Sequence, residues 1–387
     1  MNSNLRNLSD ILGDLRRDSA GSPRMIQIHR ELEEVLTATA GSLRELDLSY
    51  CYLSGRQLAA LAPKLGSSLE VLVLDNNSAL DDDTSWAAPL AEAVKKMTNL
   101  RKFSMRSCEI THREVEHVFA ALASKTKFTT LDVAHNFPDD EGDYGADGHP
   151  AVITLGPLLA QMPSLEALDM SGIVLGKEGA DAIINGIMDR VDKHTAIFKE
   201  LKLSAALLTL DDFEQLLFTL HRMTDLRKLS IQDITIPSEP SHDDAAEQQF
   251  LRLCVCIGCM EELEELRLTS CNILRDEGLG VFVWDALAQS LMNKENLKLL
   301  SLYGNEMEIT GATAIARCLP KLTALEHLIL DWNHLGKDNN KGLIALLHGI
   351  DELSGWLEKV TVRHNGIEDR SFIEELSEEV RRVFVFE

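Results

Sequence analysis

Apolar residues recur along most of this chain in a single order, Leu-x-x-Leu-x-Leu-x-x-(Asn/Cys)-x-Leu. Leu43, Leu46, Leu48, Cys51 and Leu53 set the pattern, and Leu69, Leu72, Leu74 and Asn77 repeat it. Leu100/Phe103/Met105/Cys108/Ile110 and Phe128/Leu131/Val133/Asn136 follow, then Leu165/Leu168/Met170, Phe198/Leu201/Leu203 and Leu226/Leu229/Ile231. The fuller form returns in Leu263/Leu266/Leu268/Cys271/Ile273 and Leu297/Leu300/Leu302/Asn305. Leu325/Leu328/Leu330/Asn333/Leu335 and Leu357/Val360/Val362/Asn365/Ile367 close the series, giving eleven copies whose starts lie 26 to 37 residues apart. Alternation places positions 4 and 6 on one side of a short strand, facing a core. Position 9 falls where the chain leaves the strand, and an Asn there has the groups to bond turn backbone that burial deprives of water.

Between the strands lie amphipathic helix signals such as Ser54–Ala62 and Thr111–Phe119, with Ser54, Thr111 and Thr310 standing where N-caps belong. One such unit cannot bury its own apolar side, whereas stacked units share a continuous core. Units of this length with a full helix resemble the ribonuclease-inhibitor-like subfamily of leucine-rich repeats. The stretches Gly176–Ile184 and Thr310–Ala316 look like that subfamily's helix starts. The resemblance covers residues 43–367. It implies an α/β leucine-rich-repeat solenoid, a horseshoe of about eleven strand–helix repeats, with parallel strands on the concave face and helices on the convex face. The ribonuclease inhibitor's own cysteine-rich composition is absent, so ribonuclease binding is not implied. Residues 1–42 read as a helical N-terminal cap of two helices broken at Gly21-Ser22-Pro23, and residues 368–387 as a C-terminal cap ending in the apolar run Val383–Phe386.

Charge narrows the class of partner. With 38 basic against 62 acidic residues the chain carries a net charge of −24, which repels phosphate backbones and favours a protein partner with a basic surface. Nucleic acid and membrane are not expected. The seven cysteines are irregularly spaced, no secretory signal precedes them and no apolar run is long enough to span a bilayer, so a cytoplasmic or nuclear setting is expected. Acidic residues gather after three strands, at Asp81, Asp82 and Asp83, at Asp139, Asp140, Glu141 and Asp143, and at Asp243 and Asp244. In a solenoid these insertions fall on one edge, which predicts an acidic rim.

No catalytic signature survives inspection. Gly172–Glu178 has the wrong spacing for a phosphate loop, and Cys254, Cys256 and Cys259 lie in a run that reads as the buried face of a helix. No catalytic residue, metal or cofactor is therefore assigned, and the reading is a protein-binding scaffold rather than an enzyme. The alternative from another class is a GTPase-activating protein, because the Ran GTPase activators use a similar array with a basic residue after an early strand. Arg56 and Arg113 fall near that place, offset by about one residue. Strand positions 3, 5, 7 and 8 face away from the core, and in the last three repeats they display Tyr303, His327, Asp331, Trp332, Arg363 and His364. Aromatic and arginine side chains on an open face are common interface anchors, which makes these six the expected docking residues.

Overall fold

The structure is a computed structural model that describes residues 8–17, 23–80, 83–111, 113–137, 148–193, 198–204, 208, 210–233, 243–271, 280–353, 356–368 and 378–386. The chain divides into two compact units, residues 1–197 and 198–387. In the first, helices α1 (Leu8–Arg17) and α2 (Pro23–Thr39) precede five strands: β1 (Glu45–Asp47), β2 (Val71–Val73), β3 (Lys102–Ser104), β4 (Thr130–Asp132) and β5 (Ala167–Met170). After each strand comes a helix: α3 (Gly55–Leu61), α4 (Ala87–Lys96), α5 (Glu116–Ala123), α6 (Pro150–Leu159) and α7 (Gly176–Lys193). The second unit holds β6 (Glu200–Ser204), β7 (Lys228–Gln232), β8 (Glu265–Thr269), β9 (Leu299–Ser301), β10 (His327–Ile329), β11 (Lys359–Thr361) and β12 (Phe384–Val385). Its helices are α8 (Leu210–Leu220), α9 (Asp243–Cys259), α10 (Gly280–Leu291), α11 (Ile309–Cys318), α12 (Lys337–Asp351) and α13 (Glu378–Val383).

Within each unit the strands pair in parallel and in chain order, so each is an α/β leucine-rich-repeat solenoid as the periodicity predicts. The register joins position 4 to position 4: Leu46, Leu72, Phe103, Leu131 and Leu168 form one buried row. Leu201, Leu229, Leu266, Leu300, Leu328, Val360 and Phe384 form the other. Phe384 extends the second row by a twelfth strand with no template of its own. Helices pack on the far side of these rows. Where α6 meets α7 the backbones approach closely, and a Cβ at Gly156 would sit 2.2 Å from the Ala182 carbonyl oxygen, one at Gly186 2.0 Å from that of Gly156. No larger residue fits at either.

Helix starts follow the sequence reading in part. Ser54 caps α3 with a full capping box through Gln57. Thr310, by contrast, lies within the first turn of α11, whose N-cap is Glu308. The free edge of β1 is closed by α1: Arg16 donates from Nε to the Ser49 carbonyl (2.9 Å) and from Nη2 to that of Asp47 (3.1 Å), and pairs with the Asp47 carboxylate. An edge occupied by a guanidinium cannot template another strand.

Position 9 does more than the sequence implied. Asn77, Asn136, Asn305, Asn333 and Asn365 are all buried, and each bonds backward into the preceding repeat. Asn333 shows the full set: Oδ1 accepts the N–H groups of Asn305 (3.1 Å) and Met307 (2.9 Å), while Nδ2 donates to the carbonyls of Leu302 and Leu330 (both 2.9 Å). Asn136 does the same for Cys108, Ile110, Met105 and Val133. A cysteine at this position supplies only the donor half: Cys108 Sγ reaches the Leu74 carbonyl at 3.2 Å and Cys271 Sγ that of Ile231 at 3.8 Å. Asn333→Ala leaves two N–H groups and the Leu302 carbonyl short of a partner, the Leu330 carbonyl keeping its bond from Asn365 Nδ2, and is expected to cost roughly 1–3 kcal/mol. Asn305→Cys should cost less than Asn305→Ala. Denaturant midpoints with an unchanged slope check both, and no loss for Asn333→Ala would remove the ladder from the account.

One further substitution pattern concerns the turn three residues before each strand's first leucine. Met97, Met162, Met223 and Met260 fill it as buried apolar groups, but Lys125 and Lys294 take the same place and are also buried. Lys125 Nζ donates to the Lys95 carbonyl at the end of α4 (2.7 Å), and Lys294 Nζ to the Gly258 carbonyl at the end of α9 (2.8 Å). Burial pushes both ammonium groups below the usual lysine value. Lys294→Met is expected to stabilise the fold by roughly 1 kcal/mol, since removing a desolvated charge outweighs one neutral-acceptor bond. Between the lowered value and the unfolded one, about 10.4, the unfolded chain binds more protons, so wild-type stability rises with pH and the variant's advantage shrinks there. Denaturation at neutral and alkaline pH reads the difference directly.

Candidate functional site

The open face of the strands in the second unit carries the six residues expected to dock a partner, and adjacent strands bring them together. The feature that positions them was not read from the sequence. In ten repeats the position-8 residue is left-handed: Tyr50, Asn76, Ser107, His135, Gly172, Asp233, Ser270, Gly304, Trp332 and His364 have φ between 52° and 68°. The cause is a ladder that continues past the strand. In eight of the ten the position-8 N–H donates to the position-7 carbonyl of the next repeat, as in Gly304 to Asp331 (3.0 Å) and Trp332 to Arg363 (2.8 Å). The backbone then reverses hand to enter the Asn-bonded turn. Gly, Asn and Asp adopt this conformation at little cost, whereas bulky side chains do so at a penalty of about 1–2 kcal/mol.

Trp332 bears that penalty although the residue stays 54% exposed. The indole lies against the His364 imidazole, ring centres 4.4 Å apart and planes inclined by 30°. Asp331 is held from beneath, its Oδ1 accepting the Arg363 N–H at 2.8 Å. Tyr303 is half-buried on the next repeat inward, its carbonyl accepting from Ser270 and from Asn305 Nδ2. His327 approaches Glu358 with Nε2 3.9 Å from the carboxylate. Beyond His364 a hollow is lined by Val362, Arg363, Asn365, Ile367, Glu368 and Phe386.

The first unit holds a cluster that the sequence reading passed over. Arg106, at position 7, donates from Nε and Nη2 to Asp132 Oδ2 (3.1 and 3.0 Å) and also bonds Asp169 on the strand beyond. Burial and the nearby Asp169 carboxylate push the Asp132 carboxyl above its usual value, while the two carboxylates hold the Arg106 guanidinium charged against its own desolvation. Asp75 completes the set by accepting from Ser104 Oγ (2.6 Å) and the Arg106 N–H (2.9 Å). Every polar group named here has a protein partner, so the cluster reads as a clamp across β3, β4 and β5. Its signal was legible only by comparing positions 5 and 7 across neighbouring repeats.

The expected acidic rim is met differently. Asp81, Asp82, Asp139, Asp140, Glu141 and Asp143 lie outside the described residues. Asp83 is no free rim charge: it caps the turn Thr84–Trp86, accepts the Ser85 N–H at 2.8 Å and pairs with Arg56 at 3.0 Å. Those bonds draw its carboxyl below the usual value. Asp243 and Asp244 are the first two residues of α9 rather than part of the loop before it. Arg56 and Arg113, the residues behind the GTPase-activating alternative, are engaged with Asp83 and Glu116. Burial pushes the Cys254 thiol up to about 12 and that of Cys256 up to about 11, away from the thiolate that metal binding needs.

The family pattern described as Leucine Rich Repeat matches residues 42–63, and one described as Leucine Rich repeat matches residues 262–283. Leucine-rich repeat-containing protein 45 of Gallus gallus is 30% identical over 129 residues, which cover 32% of this chain and only 18% of that protein's length. The crystal structure of a TLR13–ssRNA13 complex aligns with 84% of this chain and 43% of that one, at 14% identity and a TM-score of 0.32. So distant a likeness does not bear on what this chain binds.

If Trp332 is kept for its exposed ring, the backbone should prefer glycine there. Trp332→Gly is expected to fold with a stability within about 1 kcal/mol of wild type and on the more stable side, because glycine relieves the left-handed strain. Thermal and denaturant melts check this. A clear loss of stability would mean that the ring packs for the fold.

Proposed function

We propose that this chain, which carries leucine-rich repeats, is a protein-binding scaffold with no catalytic step. Its partner docks on the open face of β9, β10 and β11. The observation that carries the reading is Trp332: an exposed indole, stacked on His364, held in a backbone conformation that disfavours it. A fold that needed only the turn would be served by glycine, as at Gly172 and Gly304. Tyr303, His327, Asp331 and Arg363 belong to the same three repeats as the indole, and a buried aromatic anchor in such a setting is worth about 2 kcal/mol or more. Residues 1–42 and 368–387 act as caps on an array of the ribonuclease-inhibitor-like kind.

The net charge of −24 favours a partner whose body is basic, with the acidic insertions of the repeats steering its approach. That field reaches only about 8 Å at physiological salt, so it speeds association more than it strengthens the complex. Among the described residues no helix is long and apolar enough to cross a membrane. A cytoplasmic or nuclear setting, with reduced and mostly buried thiols, completes the reading.

Quantitative pull-down from a lysate, comparing wild type with a Tyr303→Ala/Trp332→Gly double variant, tests the proposal. Specifically retained proteins are expected to fall at least tenfold for the variant, as loss of two aromatic anchors implies about 2 kcal/mol or more. Equal retention by both would move the binding surface off this face.

A further inference from the structure

The patch around Trp332 contains polar atoms that the fold leaves unmet. Thr361 is 5% exposed, and its hydroxyl, closed off from solvent, finds no hydrogen-bond partner among the described residues. Arg363 Nε, two residues along the same strand face, is likewise closed off and unpartnered. His327 Nδ1 on the neighbouring strand is a third such atom. Positions 3, 5 and 7 point to one side, so these groups run diagonally across β10 and the end of β11. Buried donors without acceptors are costly, and few are kept in a folded chain without a reason.

The charges point to the missing acceptor. Although the chain is strongly acidic, the Arg363 guanidinium has no ion pair among the described residues, in contrast to Arg106, which holds two carboxylates. Asp331 bonds the Arg363 backbone N–H through Oδ1 and, among the described residues, makes no ion pair with its guanidinium. The hollow beside it offers an apolar wall from Val362, Ile367 and Phe386. Glu368 also lines that hollow and would oppose a doubly charged group, whereas one planar carboxylate matches one guanidinium.

We infer that this hollow is a carboxylate-anchoring subsite for an acidic side chain on a peptide segment of the partner, next to an apolar residue that stacks on Trp332. The carboxylate accepts from the guanidinium of Arg363, which borders the hollow. A partner that is basic as a whole is drawn in by the field of the chain and locked by this one local contact of opposite sense. The inference rests on the docking reading above and sharpens it.

The test selects a random dodecapeptide phage library on the intact chain, then counter-selects against Trp332→Gly. Peptides dependent on Trp332 are expected to be enriched in Asp or Glu beside an aromatic or aliphatic residue. Synthetic versions in which that Asp or Glu becomes Asn or Gln should bind wild type about tenfold or more weakly, as loss of a charge-assisted pair implies. On Arg363→Met the same change should alter affinity less than about twofold, the coupling expected of a direct pair. Arg363→Met should melt like wild type, because its guanidinium holds nothing in the fold. Trp332-dependent peptides that lack an acidic residue, or that favour lysine and arginine, would overturn the carboxylate subsite and leave the docking face standing. A selection that yields no Trp332-dependent peptide would overturn both.

Discussion

Stacking short strands buries the backbone where each strand ends, and that backbone must find partners without water. The five buried asparagines at position 9 meet this need by bonding across the boundary between repeats, from Leu53 and Leu48 at Asn77 to Leu335 and Leu330 at Asn365. Hydrophobic burial would bring the repeats together in any case, but it is non-directional. The asparagines fix the height and rotation of one turn against the next. Everything on the open face inherits that precision, including the placement of Trp332 over His364.

The same constraint sets the cost of display. Because the position-8 N–H continues the ladder to the next repeat, that residue turns left-handed, and its side chain leaves the sheet beside the turn. Glycine is the least strained occupant. Tyr50, Trp332 and His364 are departures from it, and strain of this kind tends to collect at functional sites. The first unit spends its open face differently, on the Arg106 clamp, where every named charge is already matched. Matched charges leave little for a partner, whereas Thr361 and Arg363 remain unmet. That contrast, rather than the aromatic content alone, separates the two faces.

Much of this was legible from spacing. Leucines at positions 4 and 6 marked the strands correctly because a period of two and burial on one side leave few alternatives. Tyr303 and Arg363, both at position 7, could be assigned to the open face for the same reason. What escaped depends on neighbours rather than on periodicity. Left-handed backbone at Trp332 has no signature in the tryptophan itself, and only Asn76, Gly172 and Gly304 at the same position of other repeats hint at it. Lys125 and Lys294 look like surface residues until they are aligned with Met97 and Met260. Asp83 reads as a loose loop charge because capping depends on a helix start that composition does not mark to the residue.

Hydrogen exchange at single amides bears most directly on the ladder. The N–H groups of Asn305 and Met307 both end on Asn333 Oδ1 and belong to a turn, not to a strand. Native-state exchange followed by NMR over a denaturant series should place both amides in the slowest class, opening only with cooperative unfolding of their unit. In Asn333→Ala they should exchange by local opening, while amides of β9 stay protected. Exchange of both amides in the wild type as fast as that of exposed turn residues would contradict the claim that these side chains hold the repeats in register.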